Sequence, residues 1–382
     1  MPPSALLRAP FQHAPGLDTL RALAILLVLG MHYPRTGAPP WFLELTRFGW
    51  TGVDLFFVLS GFLIGRQLLE PISADERPRL GDFYLRRLFR ILPAYWVVLV
   101  IYVLVPSARE HDELAAPLVR FLTFTQNLGQ RGGAFAHAWS LCIEEQFYLV
   151  LPLLTLMLAG RVRARAIGAI AISIVLAGIA LRGVLWWFCY APYADTDSAR
   201  AVYWEWIYFP TWSRLDGLLA GVVLALVQIF RPAVWSRWQR APWGVALVAA
   251  LALGLARPLC EQNRTLIGAA LTFPVLAIGF AALLVFTTTD AGTRLLGRAP
   301  GARWLATLAY SLYLSHLLVL SVVRRVFERY GLSAYHPATA ATFAVSVLAF
   351  AALLHTGVER PFLRLRERFR RTAPVPQPAP AA

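Results

Sequence analysis

The stretch LDTLRALAILLVLGMHY at residues 17–33 decides the fold. It is an almost unbroken apolar run, long enough to cross a hydrocarbon core of about 30 Å as a helix, yet it contains Asp18, Arg21 and His32. Ionisable groups inside such a run are costly and mark functional sites by default. The spacing Arg21-x10-His32 is close to three helical turns, so both residues fall on one face, about 16 Å apart along the axis. Taken singly, each has a plain structural reading: Arg21 snorkels to the headgroups and His32 caps the far end of the span.

The rest of the chain has the same character. Of its 382 residues 58% are hydrophobic, and the mean hydropathy is +0.57. Apolar stretches recur at 17–35, 52–69, 88–105, 140–158, 166–188, 212–228, 243–257, 266–286, 305–324 and 337–357. The fold expected is an all-α polytopic membrane protein of about ten transmembrane helices. A cytoplasmic N-terminal segment 1–16 would precede the transmembrane domain 17–357, and a basic, then Pro/Ala-rich, cytoplasmic tail 358–382 would follow it.

All 36 basic residues are arginine, and their distribution sets the expected orientation. With both termini cytoplasmic, 22 arginines fall on the inner side, including Arg8, Arg161, Arg163, Arg165 and six from Arg360 to Arg371, against 11 in the outer loops. The net charge of +15 is then a matter of topology, and no folded basic module for nucleic acid accompanies it. The first span has no charged n-region or small-residue cleavage site and reads as retained. Cys142, Cys189 and Cys260 lack metal-ligand spacing, and neither an H-E-x-x-H nor a G-x-S-x-G motif occurs, so no metal is expected.

Further polar islands interrupt the spans. GWTGVDLFFVLSGFLIG at 49–65 places Asp54 a few residues into the second span, where its carboxylate is a sensible partner to fix the His32 tautomer. Its glycines 49, 52, 61 and 65 permit close helix approach. FYLRRLFRILPAYW at 83–96 clusters Arg86, Arg87 and Arg90 at the cytoplasmic start of the third span; this is ordinary positive-inside anchoring or a phosphate cradle. HAWSLCIEEQFYLVLP at 137–152 holds Trp139, Glu144 and Glu145 at the outer start of the fourth span; Trp139 joins a substrate-binding or structural network, with an interfacial belt residue as the plain alternative. Arg214 and Asp216 begin the sixth span as a polar network or a helix clamp, and His316 interrupts the ninth. The aromatics Tyr203, Trp204, Trp206 and Tyr208 read either as sugar-stacking groups or as interfacial anchors.

A basic inner mouth suits a phosphate-bearing donor, and a deeper histidine with carboxylates suits proton removal from a hydroxyl. In this order and combination, the segments at 17–33, 52–64, 83–96, 139–152, 214–221 and 311–319 resemble the acyltransferase-3 family of integral membrane O-acyltransferases. The resemblance covers about residues 15–360. It implies an integral protein of the bacterial cytoplasmic (inner) membrane that moves an acyl group, by default acetyl, from acyl-CoA to a hydroxyl of a carbohydrate, lipid-linked glycan or macrolide. Arg21 and His32 match the family's Arg-x10-His signature, with His32 implied as the catalytic residue. Arg86, Arg87 and Arg90 match its basic motif, implied to contact acyl-CoA, and Glu144 and Glu145 match its Glu-Glu-Gln-Phe-Tyr element. Acyl-CoA would be a co-substrate, with no tightly bound cofactor and membrane lipid as the surroundings. Many members carry a further SGNH hydrolase-like domain, and the expectation is of a member without one. The rival reading is a transporter or flippase of a glycan or lipid-linked substrate, which would relocate its substrate unchanged.

Overall fold

The computed structural model describes residues 15–33, 40–74, 76–158, 164–332 and 337–372. Arg8, Arg161, Arg163, most of the N-terminal segment and the Pro/Ala-rich tail beyond 372 lie outside these residues. The described chain is helical: α1 Pro15–His32, α2 Pro40–Arg47, α3 Gly52–Ser73, α4 Leu80–Leu104, α5 Leu118–Leu122, α6 Trp139–Leu158, α7 Ala164–Leu185 and α8 Ala199–Tyr203. There follow α9 Asp216–Phe230, α10 Pro232–Arg240, α11 Pro242–Glu261, α12 Leu266–Thr287, α13 Asp290–Leu296, α14 Ala302–Arg329, α15 Pro337–Leu354 and α16 Arg360–Thr372. Among the described residues nine helical spans are long and apolar enough to cross a membrane, or ten when α9 and α10 count as one. The chain is thus an all-α polytopic membrane protein with about the number of spans expected.

Two spans depart from the expectation. The sixth, expected over 212–228, begins as α9 only at Asp216, and past its end the chain turns by 104° at Arg231 into α10. The cause is local: Pro232 pushes the residue before it out of the helical region, and Arg231 sits at φ −135°, ψ 53°. The third begins at Leu80 instead of 88, so Arg86, Arg87 and Arg90 lie within α4 and not at its mouth.

The chain divides into two compact units. The first comprises residues 15–78 and 110–309, and its centre is the pair α3 and α9. Both helices carry glycines four apart, Gly61 with Gly65 and Gly217 with Gly221, a spacing that lets backbones meet. A Cβ at Gly61 would lie 2.0 Å from the Leu218 carbonyl oxygen, and one at Gly221 2.3 Å from that of Val58. The helix α12 packs on α3, α7, α9 and α11. Of the most apolar window in each span, 78% is buried around α3 and 67% in α12, against 17% in α7 and in α11. The central helices therefore face protein, and α7 and α11 present most of their surface to lipid. Pro274 leaves α12 without the N–H that would bond the Ala270 carbonyl one turn back, and a side chain from α7 takes that place, as described below.

The second unit comprises residues 79–109 and 310–372. Within it, α4 packs on α16 and on the π-helical turn His355–Glu359 that links α15 to α16. Tyr310 donates to the Ile91 carbonyl at 2.8 Å, and Arg109 folds back to donate to the carbonyls of Tyr102 and Val103 at the end of α4, at 2.5 and 3.1 Å.

Candidate active site

In the first unit, His32 is the last residue of α1 and is half-buried. Its Nδ1 lies 2.9 Å from the Val28 carbonyl oxygen. A carbonyl only accepts, so Nδ1 carries the ring proton and the basic lone pair is on Nε2. The helix itself thus fixes the tautomer, a role the sequence had suggested for Asp54. Eleven residues earlier, Arg21 donates to Asp18 at 3.1 Å. The start of α3 is pressed against this end of α1: a Cβ at Gly49 would meet the Leu27 carbonyl oxygen at 2.1 Å, and one at Gly52 the Ala24 carbonyl oxygen at 2.4 Å.

Asp54, in the first turn of α3, is buried and accepts from Arg214 Nη2 at 2.9 Å. Arg214 is only 1% exposed, and aromatic rings enclose its guanidinium: Phe273 at 3.7 Å, Tyr208 at 4.8 Å, Trp139 at 5.1 Å and Phe57 at 6.0 Å. Each ring offers its negative face to the cation. Arg214 Nε and Nη1 and Asp54 Oδ2 are buried and make no hydrogen bond among the described residues. Tyr208 reaches the cage from the π-helical turn Trp204–Tyr208, and burial pushes its phenol above the usual tyrosine range, so the ring stays neutral. Trp139 is buried in the cage as well, which corrects its reading as an interfacial residue.

The expected Arg214–Asp216 network is in fact two separate ion pairs. Asp216 pairs with Arg182 of α7, a residue the sequence reading left without a role. Arg182 Nη1 and Nη2 donate to the two Asp216 oxygens at 2.9 and 3.1 Å. Its remaining N–H groups go to the carbonyls of Ser213, at 2.8 Å, and Ala270, at 3.1 and 3.3 Å. The second of these is the carbonyl orphaned by Pro274. The signal available in the sequence was a lone arginine deep in an apolar run.

Of the two adjacent glutamates, both half-buried, Glu144 accepts from Tyr148 at 2.6 Å, one turn along α6. The next residue, Gln146, is the centre of a network the sequence did not reveal. It donates to the Phe124 carbonyl at 2.7 Å and to Asn127 Oδ1 at 3.1 Å, and it accepts from Thr211 at 2.5 Å. Asn127 donates in turn to the Phe209 carbonyl at 3.1 Å. These bonds tie the segments that carry Tyr208 and Arg214 to α6.

The second unit holds the other residues singled out. Arg86 and Arg87 are half-buried in α4, with Arg87 over the Phe83 ring at 5.8 Å, and Arg90 is exposed. His316 is fully buried in α14 and its Nδ1 donates to the Tyr313 carbonyl at 2.7 Å. Near it in sequence, Ser311 donates to buried Glu359, which also accepts from His355 at 2.9 Å. Among the described residues no three of His, Cys, Asp and Glu cluster as a metal site.

The chain is similar to bacterial proteins named as O-acetyltransferases. It is 27% identical over 364 residues to the peptidoglycan O-acetyltransferase of Listeria monocytogenes, an alignment covering 89% of this chain and 55% of that protein. A Bacillus subtilis protein provisionally named peptidoglycan O-acetyltransferase is 29% identical over 83% of this chain and 50% of its own length. A Staphylococcus aureus protein provisionally named O-acetyltransferase is 34% identical over 56% of this chain and 35% of its own. The chain thus spans about half the length, or less, of these relatives. No solved structure matches it. The long apolar helices and the bacterial relatives make it an integral protein of the bacterial cytoplasmic membrane. The family model for the acyltransferase domain matches residues 15–355, which span both units, and the chain belongs to the acyltransferase-3 family.

Proposed function

We propose that this protein is an O-acetyltransferase that moves acetyl from acetyl-CoA to a hydroxyl of a cell-wall glycan of the peptidoglycan type, with His32 as general base. The observation that carries this reading is the His32–Val28 bond: it holds a proton on Nδ1, so that the lone pair of the neutral ring, the form a general base needs, is on Nε2. The acceptor hydroxyl gives its proton to Nε2 while its oxygen bonds to the thioester carbonyl carbon. The carbon–sulfur bond then breaks, and the proton passes to the departing thiolate to give CoA. A family of acyltransferases and relatives named O-acetyltransferases support the chemistry, and the two relatives named for peptidoglycan support the glycan.

Arg86, Arg87 and Arg90 are assigned to the phosphates of the donor, where forked guanidinium contacts suit the ligand. Glu144 and Glu145 are assigned to the acid–base environment of the site. Both termini are placed in the cytoplasm, with the transmembrane domain over 17–357.

The test is transfer of radiolabel from acetyl-CoA to peptidoglycan fragments by the full-length protein in detergent. Wild type should label the glycan and release CoA, and His32→Ala should lose at least about a hundredfold of the rate. Equal turnover by folded His32→Ala would remove the histidine from the chemistry. Movement of glycan without CoA release would favour a transporter.

A further inference from the structure

The Arg214–Asp54 pair is built unlike a clamp, and we infer that it is a hydroxyl-binding subsite for the acceptor. The inference rests on the acetyltransferase reading for its ligand class, and on the local chemistry for everything else. Three polar atoms are buried here without a hydrogen bond to any described residue: Arg214 Nε, Arg214 Nη1 and Asp54 Oδ2. Both residues are more than nine-tenths buried. Leaving such atoms unmatched is expensive, so an arrangement of this kind needs a ligand that answers it.

The chemistry of that ligand follows from the atoms. The pair is already neutral, so a carboxylate or phosphate would bring uncompensated charge into a buried site. A carbonyl oxygen would satisfy the guanidinium and leave Asp54 Oδ2 unmatched, because it cannot donate. A hydroxyl does both, donating to Oδ2 and accepting from one Arg214 N–H, and a second oxygen beside it can accept from the other. Two neighbouring oxygens on a carbon framework are the local structure of a sugar. The surroundings agree: the rings of Trp139, Tyr208, Phe57 and Phe273 have their centroids within 6.0 Å of the guanidinium carbon, and aromatic surface of this kind suits the C–H groups of a pyranose. Beside them, half-buried Tyr208 and Trp50 have their rings 6.0 Å apart. Arg214 and Asp54 are thereby positioning residues that hold the acceptor, while His32 acts on its proton.

The test measures binding by the full-length protein in detergent, read as ligand-dependent thermal stabilisation. The probes are acetyl-CoA, the disaccharide repeat of peptidoglycan and a set of its monodeoxy analogues. Wild type should bind the disaccharide, and one deoxygenation should weaken it at least about tenfold, because the site's groups are left unmatched. Arg214→Lys and Asp54→Asn should weaken the disaccharide by a similar factor and leave acetyl-CoA binding unchanged. Folded variants with wild-type affinity for the disaccharide would overturn the inference. So would a wild-type protein to which every monodeoxy analogue binds as well as the parent, or one that does not bind the disaccharide. If neither variant folds, the deoxy series on wild type decides alone. Hydroxyl-dependent binding without any His32-dependent transfer would instead fault the acetyltransferase reading and leave the subsite standing.

Discussion

Two arginines of the first unit, each paired with one aspartate, are both buried, and they are used in opposite ways. Arg182 spends every N–H: it grips both oxygens of Asp216 and caps the carbonyls of Ser213 and Ala270. Arg214 spends one, on Asp54, and is otherwise enclosed by rings. Phe273 lies beneath both, 5.6 Å from Arg182 and 3.7 Å from Arg214, so the two environments share a wall. A saturated pair has nothing left to offer a ligand and serves the fold. An unsaturated one gives up stability for chemistry, as functional sites do.

The hardest test of this contrast is to remove the saturated arginine. Arg182→Met strands Asp216 and two carbonyls, and should cost about 3–5 kcal/mol, seen as loss of monodisperse protein in detergent. Arg214→Met strands Asp54 but also removes two unmatched nitrogens, Nε and Nη1, and should cost about 1–3 kcal/mol in the same assay. Equal losses would erase the distinction. Replacing both partners sharpens it. Asp54→Leu with Arg214→Met should recover stability to within about 1 kcal/mol of wild type, in an inactive protein. Asp216→Leu with Arg182→Met should stay about 1–3 kcal/mol below, because the carbonyls of Ser213 and Ala270 remain without a donor. The smallest effect is expected for Tyr208→Phe, which keeps the ring over Arg214. It should change thermal stability by no more than about 0.5 kcal/mol, and a larger loss would mean that the phenol oxygen matters in the cage.

The helical spans were legible because lipid imposes length and apolarity on any crossing segment, and the stretches 17–35, 52–69 and 266–286 fall on α1, α3 and α12. The break between α9 and α10 was also written in the sequence, at Pro232, and the expected sixth span, 212–228, stops short of it. Arg21, His32, Asp54, Trp139, Glu144, Arg214 and Asp216 were all visible as polar or aromatic residues in unusual places. What could not be read was who holds whom. Arg214 and Asp216 look like partners because they are two apart, yet residues at that spacing leave a helical turn in different directions, and each finds its counter-ion on another helix. Arg214 meets Asp54 across 160 positions of chain, a relation no local pattern encodes. The His32 tautomer depends on a backbone carbonyl that every helix possesses. Tyr208 gains its place from a π-helical turn whose cause is tertiary.

The glycine contact between α3 and α9 has a consequence for how the protein must move. Where backbones interlock at van der Waals distance, sliding one helix along the other by even a fraction of a turn drives side chains such as Val222 into the opposite main chain. These two helices act as a single beam, and Asp54 and Arg214 are carried near one end of it. Entry and exit of ligands therefore fall to what surrounds the beam, the aromatic side chains and the short helical segments of 186–213, and the rates of arrival and departure should respond to changes there far more than to the lipid composition around α7 and α11.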